Sequence, residues 1–262
     1  MARSAKWKQR RAARSASNEA QQDAGGGYTS VRSAYEHVGP SQFYAEHGEE
    51  YSNPHGAVLT SLLQQALSSW ASSGLLGLES CSHGDGSGGS SRPWRVLDLA
   101  CGGGEASLAL EEWWSRCSTS TKGCQPSGGP KRDESMRLEI EACDPYTAAL
   151  YCRKTGRQAE TWSFEELAAG VLVADGRPPF DLVLASFCLH LLSPEQLCQT
   201  LGALAKSSRL LLVATPHKRG LVTIEEHLGW RPLAEPLTAI DRTNEGATRH
   251  RVRVQLYRMQ AL

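Results

Sequence analysis

The sequence predicts an α/β fold with a mainly parallel sheet and helices on both faces. Short apolar runs alternate with segments of helical periodicity from about residue 93 onward, and the first run ends in a glycine cluster that opens a helix. This alternation is typical of βαβ units, in which each helix crosses back over the sheet. A chain of 262 residues is long enough for one or two domains.

The N-terminal tail, residues 1–27, carries six basic residues before its first acid, Glu19. Its composition cannot bury a core, so we expect it to be disordered. A cytoplasmic location is the prediction. An acid-free, Arg- and Ser-rich start is also compatible with an organelle transit peptide, and its Lys-Gln-Arg-Arg cluster with a nuclear or RNA-contacting patch.

Residues 28–78 are predicted to form an N-terminal helical cap. Ala57–Trp70 has apolar residues at helical spacing, which indicates an amphipathic helix. For the upstream Tyr44, Tyr51 and His55 two roles stay open, namely packing of an N-terminal helix against the sheet and capping of a pocket. A Gly/Ser-rich linker, expected to be a surface loop, follows over residues 79–92.

Residues 93–262 are predicted to form the main domain, with a low-complexity surface insert near 115–135. The strands are predicted at Trp94–Ala100, Leu138–Cys143, Phe180–Ser186 and Arg209–Thr215, with a weaker one near Gln158–Trp162. The helices fit Glu105–Cys117, Pro145–Thr155 and Pro194–Ser207. Thr248–Met259 alternates basic and apolar residues with strand periodicity, and we expect it to close the sheet.

Composition excludes several classes of protein. Lys and Arg number 28 and Asp and Glu number 28, so no global field marks a binder of nucleic acid or of membrane surfaces. The apolar runs are far shorter than the ~20 residues of a membrane span, and we expect no membrane partner. The eight cysteines have irregular spacings without a CxxC pair, which favours reduced thiols in an intracellular protein and no metal site.

The segment Val96–Glu105, VLDLACGGGE, carries the most chemical information. Its glycines allow backbone N–H groups to approach a ligand at a helix N-terminus. Asp98 lies inside the strand, four residues before Gly102, which is the wrong place for a pyrophosphate site. A carboxylate there suits a cationic ligand, because buried charges persist only when they are paired.

This segment resembles motif I of the class I S-adenosylmethionine-dependent methyltransferases, V-L-D-x-G-C-G-x-G, with Ala100 where glycine is common. The resemblance covers about Pro93 to the C-terminus. It implies a Rossmann-like sandwich whose seven-stranded sheet is mostly parallel, with one antiparallel strand. The implied cofactor is S-adenosyl-L-methionine, with Asp98 on its methionine amine side and Ala100, Gly102 and Gly104 lining its methionine and ribose.

Two further segments follow in the order of that family. Asp144, at the end of a predicted strand, is placed to accept both ribose hydroxyls, although an Asp-Pro pair is also a common helix N-cap, and Asp144 can serve both roles. Ser163 stands where the family more often has an acid. Ser163 and Phe164 are the candidates for contact with adenine, while core packing is an equal role for Phe164.

The segment Phe180–Pro194 resembles the family's fourth strand and the loop that follows it. Ligands of open α/β sheets lie beyond the carboxyl ends of the strands, so Ser186, Phe187 and His190 are expected to face the crevice, with Ser186 and Phe187 as candidate cofactor-binding residues. The Asn-Pro-Pro-Tyr type of motif is absent, which disfavours N-methylation of adenine or cytosine.

His190, His217 and Tyr44 are the candidate catalytic residues. An imidazole titrates near working pH, so either histidine suits the role of a base, although His190 is equally suited to orienting its loop. The Ser-Phe-x-Leu-His loop, the Pro-His-Lys segment and the N-terminal Asn-Pro-His segment together resemble a little-characterised group of eukaryotic methyltransferase-domain proteins.

The resemblance implies in-line methyl transfer to an unidentified acceptor, which is a small molecule, an RNA or a protein side chain. A non-catalytic S-adenosylmethionine-binding regulator is the alternative, because every motif concerns the cofactor and none identifies an acceptor. The acceptor and the oligomeric state are not readable from the chain.

Overall fold

A computed structural model describes residues 31–48, 51–53, 55–78, 92–119, 136–216, 224, 229–241 and 250–260. The chain divides into two compact units, Met1–Phe43 and Tyr44–Leu262. Helix α1, Val31–His47, is interrupted by non-helical backbone at Gly39. Pro40 follows, and a proline disfavours helical backbone in the residue before it.

The second unit contains one sheet, which has seven strands within the described ranges. The strands are β1 Trp94–Leu99, β2 Leu138–Cys143, β3 Phe180–Ser186, β4 Ser208–Pro216, β5 Trp230–Pro232, β6 Leu237–Asp241 and β7 His250–Met259. Their order is β2-β1-β3-β4-β7, with β5 and β6 both paired to β7. Because β7 is antiparallel to all three of its neighbours, it alone runs against the other strands, and the predicted sheet is confirmed.

The sheet is covered by helices on both faces, as predicted. The helices after α1 are α2 Gly56–Ser72, α3 Glu105–Thr119, α4 Ala148–Thr155, α5 Phe164–Ala168 and α6 Pro194–Ser207, with 3-10 turns at Val171–Gly176 and Leu189–Leu191. Alternate strand residues face opposite layers. Leu182 packs with α2 and α3, whereas Val183 packs with α5 and α6.

Several elements differ from the predicted bounds, most of them by one or two residues at an end. The weak strand near Gln158–Trp162 is a single bridge between Cys143 and Glu160. Helix α4 begins at Ala148, three residues later than predicted, because the residues after Asp144 form a turn. Helix α3 continues to Thr119, so the first residues of the predicted insert are helical.

The strand order fixes where a crevice opens. From β1 the chain crosses to β2 on one side and then to β3 on the other side of β1. Ligands of open α/β sheets bind at such a reversal, beyond the carboxyl ends of the strands. No helix among the described residues has the length and apolar character to span a membrane.

Several predictions fall outside the described residues. They concern the tail, most of the Gly/Ser-rich linker, residues 120–135 of the insert and the segment with His217. The domain boundaries stay predictions, although α2 of the predicted cap shares one apolar layer with the sheet.

Candidate cofactor-binding site

The glycine loop connects the carboxyl end of β1 to the N-terminus of α3. Gly102 and Gly104 have φ of 55° and 85°, in the left-handed region that glycine adopts readily. A Cβ on Gly104 would lie 2.6 Å from Thr155 Cγ2, so the loop has no room for a side chain there. Ala100 also has a positive φ, 53°, which for a residue with a Cβ costs roughly 1–2 kcal/mol.

Asp98 lies beneath this loop with 0% of its surface exposed. Its Oδ2 accepts hydrogen bonds from the backbone N–H of Ser107 at 3.1 Å and from the Ser107 hydroxyl at 2.6 Å. The Tyr151 hydroxyl donates in turn to Ser107 Oγ at 3.0 Å. The other carboxyl oxygen, Oδ1, is buried and has no hydrogen-bond partner among the described residues.

Burial raises the pKa of Asp98 to about 7, against the two hydrogen bonds from Ser107, and the nearby Glu105 and Asp144 add to the rise. A positive group placed at Oδ1 would favour the ionised carboxylate and satisfy the bare oxygen. Contact of Asp98 with a positive ligand stays a prediction.

Asp144 joins the tip of β2 to the glycine loop and is only 7% exposed. Its Oδ2 accepts from the Gly102 N–H at 3.2 Å, and its Oδ1 accepts from the N–H groups of Tyr146 at 2.8 Å and Thr147 at 2.9 Å. A carboxylate has about four acceptor positions, so three backbone bonds leave capacity for a ligand hydroxyl. Asp144 therefore stabilises the turn after β2, and its contact with a ribose stays a prediction.

The predicted adenine contacts have structural tasks of their own. Ser163 caps α5, with its hydroxyl accepting the Glu166 N–H at 3.3 Å while the Glu166 carboxylate accepts the Ser163 N–H at 2.8 Å. Phe164 is half-buried against the apolar layer of α6. Neither arrangement tests the predicted contact with a base.

The loop after β3 brings Ser186, Phe187 and His190 to the other side of the crevice. Ser186 ends the strand, and His190 lies half-buried on the 3-10 turn Leu189–Leu191. Phe187 has a φ of 55° and donates its N–H to the Ala214 carbonyl at 2.9 Å. Left-handed backbone at non-glycine residues is concentrated at functional sites, and here it occurs at Phe187 and at Ala100.

A segment that we call the strap, whose described residues are 44–48, 51–53 and 55–56, contacts residues that follow the carboxyl ends of these strands. Tyr44 stacks on Tyr146, which follows β2, with ring centroids 5.2 Å apart and an interplanar angle of 7°. The Tyr51 ring covers Gly102, since a Cβ built there would lie 3.3 Å from Tyr51 Cε1.

At its other end the strap reaches the loop after β3. His55 stacks on Phe187 with ring centroids 5.4 Å apart. His55 is also the residue before α2, and its carbonyl accepts the Leu59 N–H at 2.8 Å. The strap therefore contacts residues that follow β2, β1 and β3, and packing and pocket capping both stay open as roles for Tyr44, Tyr51 and His55.

Sequence reasoning missed Ser107 and Tyr151 as the support of Asp98. One signal was present for Ser107, which occupies the third glycine position of the dinucleotide pattern G-x-G-x-x-G. Tyr151 offered no such signal, because its bond to Ser107 spans 44 positions of the chain.

The glycine loop after β1, the acid after β2 and the single reversed strand β7 define the fold of the class I S-adenosylmethionine-dependent methyltransferases. The chain belongs to the family of an uncharacterised protein of Schizosaccharomyces pombe, C17A5.05c. The two are 31% identical over 210 residues, which cover 73% of this chain and 76% of the yeast protein. No family model matches the chain.

Two solved structures are similar at lower identity. Magnesium protoporphyrin IX methyltransferase from Synechocystis PCC 6803, with bound S-adenosylmethionine, is 16% identical with a TM-score of 0.46 over 88% of this chain and 95% of that one. A putative RNA methyltransferase from Pyrococcus horikoshii is 13% identical with a TM-score of 0.48 over 80% of this chain and 87% of that one.

Proposed function

We propose that the chain is an S-adenosylmethionine-dependent methyltransferase that transfers the methyl group in line to an acceptor. The observation that carries this proposal concerns Asp98, whose Oδ1 is buried beneath the glycine loop and has no hydrogen-bond partner among the described residues. Asp144 connects the same loop to the tip of β2 through a hydrogen bond from the Gly102 N–H. We assign a positive group to the Asp98 carboxylate, and the second carboxylate, Asp144, follows the neighbouring strand β2. This matches a ligand with an ammonium at one end and a ribose further along.

The residues that would hold the cofactor follow from this arrangement. Asp98 faces the amine, the loop from Ala100 to Gly104 lines the methionine and ribose, and Asp144 accepts the ribose hydroxyls. Ser163 and Phe164 lie further along the same edge for the adenine. The cofactor supplies a methyl group on a sulfonium, which is already an activated leaving group.

The protein then has to exclude water and hold the acceptor atom about 3–3.5 Å from the reacting carbon. Ser186 and Phe187 form the β3 side of the crevice, and the strap covers its mouth. His190, on the turn after Phe187, is the proposed base for an acceptor that carries a proton. Tyr44, which the sequence marks as a second candidate, contributes its stacked ring to the strap.

The acceptor classes that this proposal allows are a small molecule, an RNA and a protein side chain, with no membrane partner and a cytoplasmic location. A non-catalytic S-adenosylmethionine-binding protein is the second candidate. The observation in its favour is that rings of the strap stack on Tyr146 and Phe187, two residues that follow strands at the edge of the sheet where an acceptor would enter.

Calorimetry with S-adenosylhomocysteine tests the cofactor assignment. Gly102→Val should abolish binding, because its Cβ would lie 3.3 Å from Tyr51 Cε1 and its side chain would take the place that the proposal gives to the ligand. Gly77→Val is the matched control, since Gly77 has a similar φ of 66° with nothing within 4 Å of a built Cβ. Equal affinity in both variants, with both folded, would exclude this site.

Transfer itself is tested by incubating the protein with S-adenosylmethionine labelled on its methyl group and a cell extract. An enzyme labels one fraction of the extract, and His190→Ala should lose the label at unchanged cofactor affinity. Binding without labelling of any fraction would favour the regulatory protein.

A further inference from the structure

Tyr51 occupies a particular place in the candidate site. Its ring covers Gly102 in the glycine loop, and its phenol is close enough to Glu105 and Asp144 for both carboxylates to act on its charge. The ring therefore lies between the part of the site assigned to methionine and the part assigned to ribose. The sulfur of S-adenosylmethionine joins these two parts of the molecule.

The rings around this position are arranged as a partly enclosed aromatic surface. Tyr44 meets Tyr51 edge-on, with centroids 5.6 Å apart and an interplanar angle of 67°. Tyr44 in turn stacks on Tyr146. The edge of one ring against the next holds Tyr51 in a defined orientation over the loop.

The surroundings of this surface are electronegative. Burial, Tyr44 and the two carboxylates raise the pKa of Tyr51, so its phenol stays neutral. Among the described residues, Asp98, Glu105 and Asp144 surround the loop, and Lys154 lies against it as a cation, 3.4 Å from Glu105. A positive ligand is favoured there over a neutral one of the same shape.

We propose that the Tyr51 ring, held by Tyr44, binds the positive sulfonium through a cation–π contact and so distinguishes S-adenosylmethionine from S-adenosylhomocysteine. This inference rests on the proposed function. The two ligands share the amine, the ribose and the adenine, and they differ in one methyl group and in the charge on sulfur. A ring that faces the sulfur acts on that difference, whereas Asp98 and Asp144 act on parts that both ligands have.

The test is the ratio of the two dissociation constants, measured by calorimetry on the full chain. In Tyr51→Leu the preference for S-adenosylmethionine over S-adenosylhomocysteine should fall by about threefold to tenfold relative to the native protein. Tyr51→Phe keeps the ring and should leave the ratio unchanged. Ser163→Ala is the control, because Ser163 is uncharged and assigned to the adenine, which both ligands share, so any loss of affinity should be the same for both.

A purely structural role for Tyr51 would weaken both ligands equally in Tyr51→Leu and leave the ratio unchanged, which would overturn the inference. If Tyr51→Leu does not fold, pentafluorophenylalanine at position 51 replaces it, since fluorine removes the negative π face and keeps the ring's shape. The ratio should then fall relative to Tyr51→Phe, and an unchanged ratio contradicts the proposal. Failure of the native protein to bind either ligand would instead contradict the proposed function.

Discussion

The two ends of the sheet each bury an aspartate, and the two aspartates are treated in opposite ways. At the amino end of β3, Asp181 is 4% exposed and accepts two hydrogen bonds from Arg92, one of them at 2.9 Å, and one from the Arg95 N–H at 3.0 Å. Arg209 lies 3.5 Å away. At the carboxyl end of β1, Asp98 has 0% exposure, and Ser107 is its only donor within the described ranges.

Arginines balance the charge of Asp181, whereas the described residues leave the charge of Asp98 unbalanced. The charge of Asp181 is balanced by arginines of the same chain, so it stabilises the fold without a ligand. The charge of Asp98 meets hydrogen bonds from Ser107 and no arginine among the described residues, and its Oδ1 has no partner there. Functional sites commonly keep such an imbalance at the expense of stability.

The largest expected effect is on the stability of the ligand-free protein. Asp98→Asn keeps an acceptor for Ser107 and removes the buried charge, so it should raise the free energy of unfolding at pH 8 by about 2–4 kcal/mol. The same variant should bind S-adenosylhomocysteine more weakly. Urea unfolding measures the stability, and calorimetry measures the affinity. If the variant is less stable than the native protein at pH 8, the statement that the charge of Asp98 is unbalanced is wrong.

The pH dependence of that difference has a definite sign. The pKa of Asp98 is about 7 in the folded protein and 3.8 when unperturbed, so between these values the folded state holds the proton more tightly. Its contribution to stability is fully present below about pH 4 and is lost as pH rises toward 7 and beyond. Asp98→Asn and the native protein should therefore converge at pH 4 and diverge toward pH 8.

Asp181→Asn is the reciprocal variant and should destabilise the protein by about 1.5–3 kcal/mol, because charge-assisted bonds are lost. Arg92 and Arg209 are more than half exposed and can return to water, which limits the loss. Affinity for S-adenosylhomocysteine should be unchanged. A loss of affinity without a loss of stability would remove the distinction between the two ends of the sheet.

Asp144 is expected both to stabilise the fold and to bind the ligand, with smaller effects than those of Asp98 and Asp181. Asp144→Ala removes three backbone bonds and a ribose contact, so it should lower the melting temperature and weaken S-adenosylhomocysteine binding about tenfold. Asp144→Asn is the control that keeps part of the turn. If Asp144→Ala lowers stability alone, Asp144 is only the residue that holds the turn and the loop.

The smallest expected effect is at Ala100. Ala100→Gly relieves a backbone with a φ of 53° but gains entropy in the unfolded chain, so the net stabilisation should be about 0.5 kcal/mol. Ala106→Gly, in the first turn of α3, should instead destabilise by about 1 kcal/mol. Equal losses in both variants would show that Ala100 is not strained.

The elements that local signals specify were predicted closely. Helix α6 begins at Pro194 as predicted, because Ser193 and Gln196 cap it within one turn of the chain. The strands β2 and β3 match their apolar runs. By contrast, β5 and β6 were not predicted, since each is short and exists only by pairing with β7, as Leu237 does with Val254.

The sequence by itself determined the strands β1 to β4, the helices α3, α4 and α6 that connect them, the glycine loop and the presence of acids at Asp98 and Asp144, because periodicity and turn chemistry act over a few residues. Only the tertiary structure decided how those acids are used. Whether a buried carboxylate is balanced depends on groups distant in the chain, as Arg92 is from Asp181 and Tyr151 is from Asp98. The covering of Gly102 by Tyr51 is likewise decided by packing, since 51 positions separate these residues and no local signal connects them.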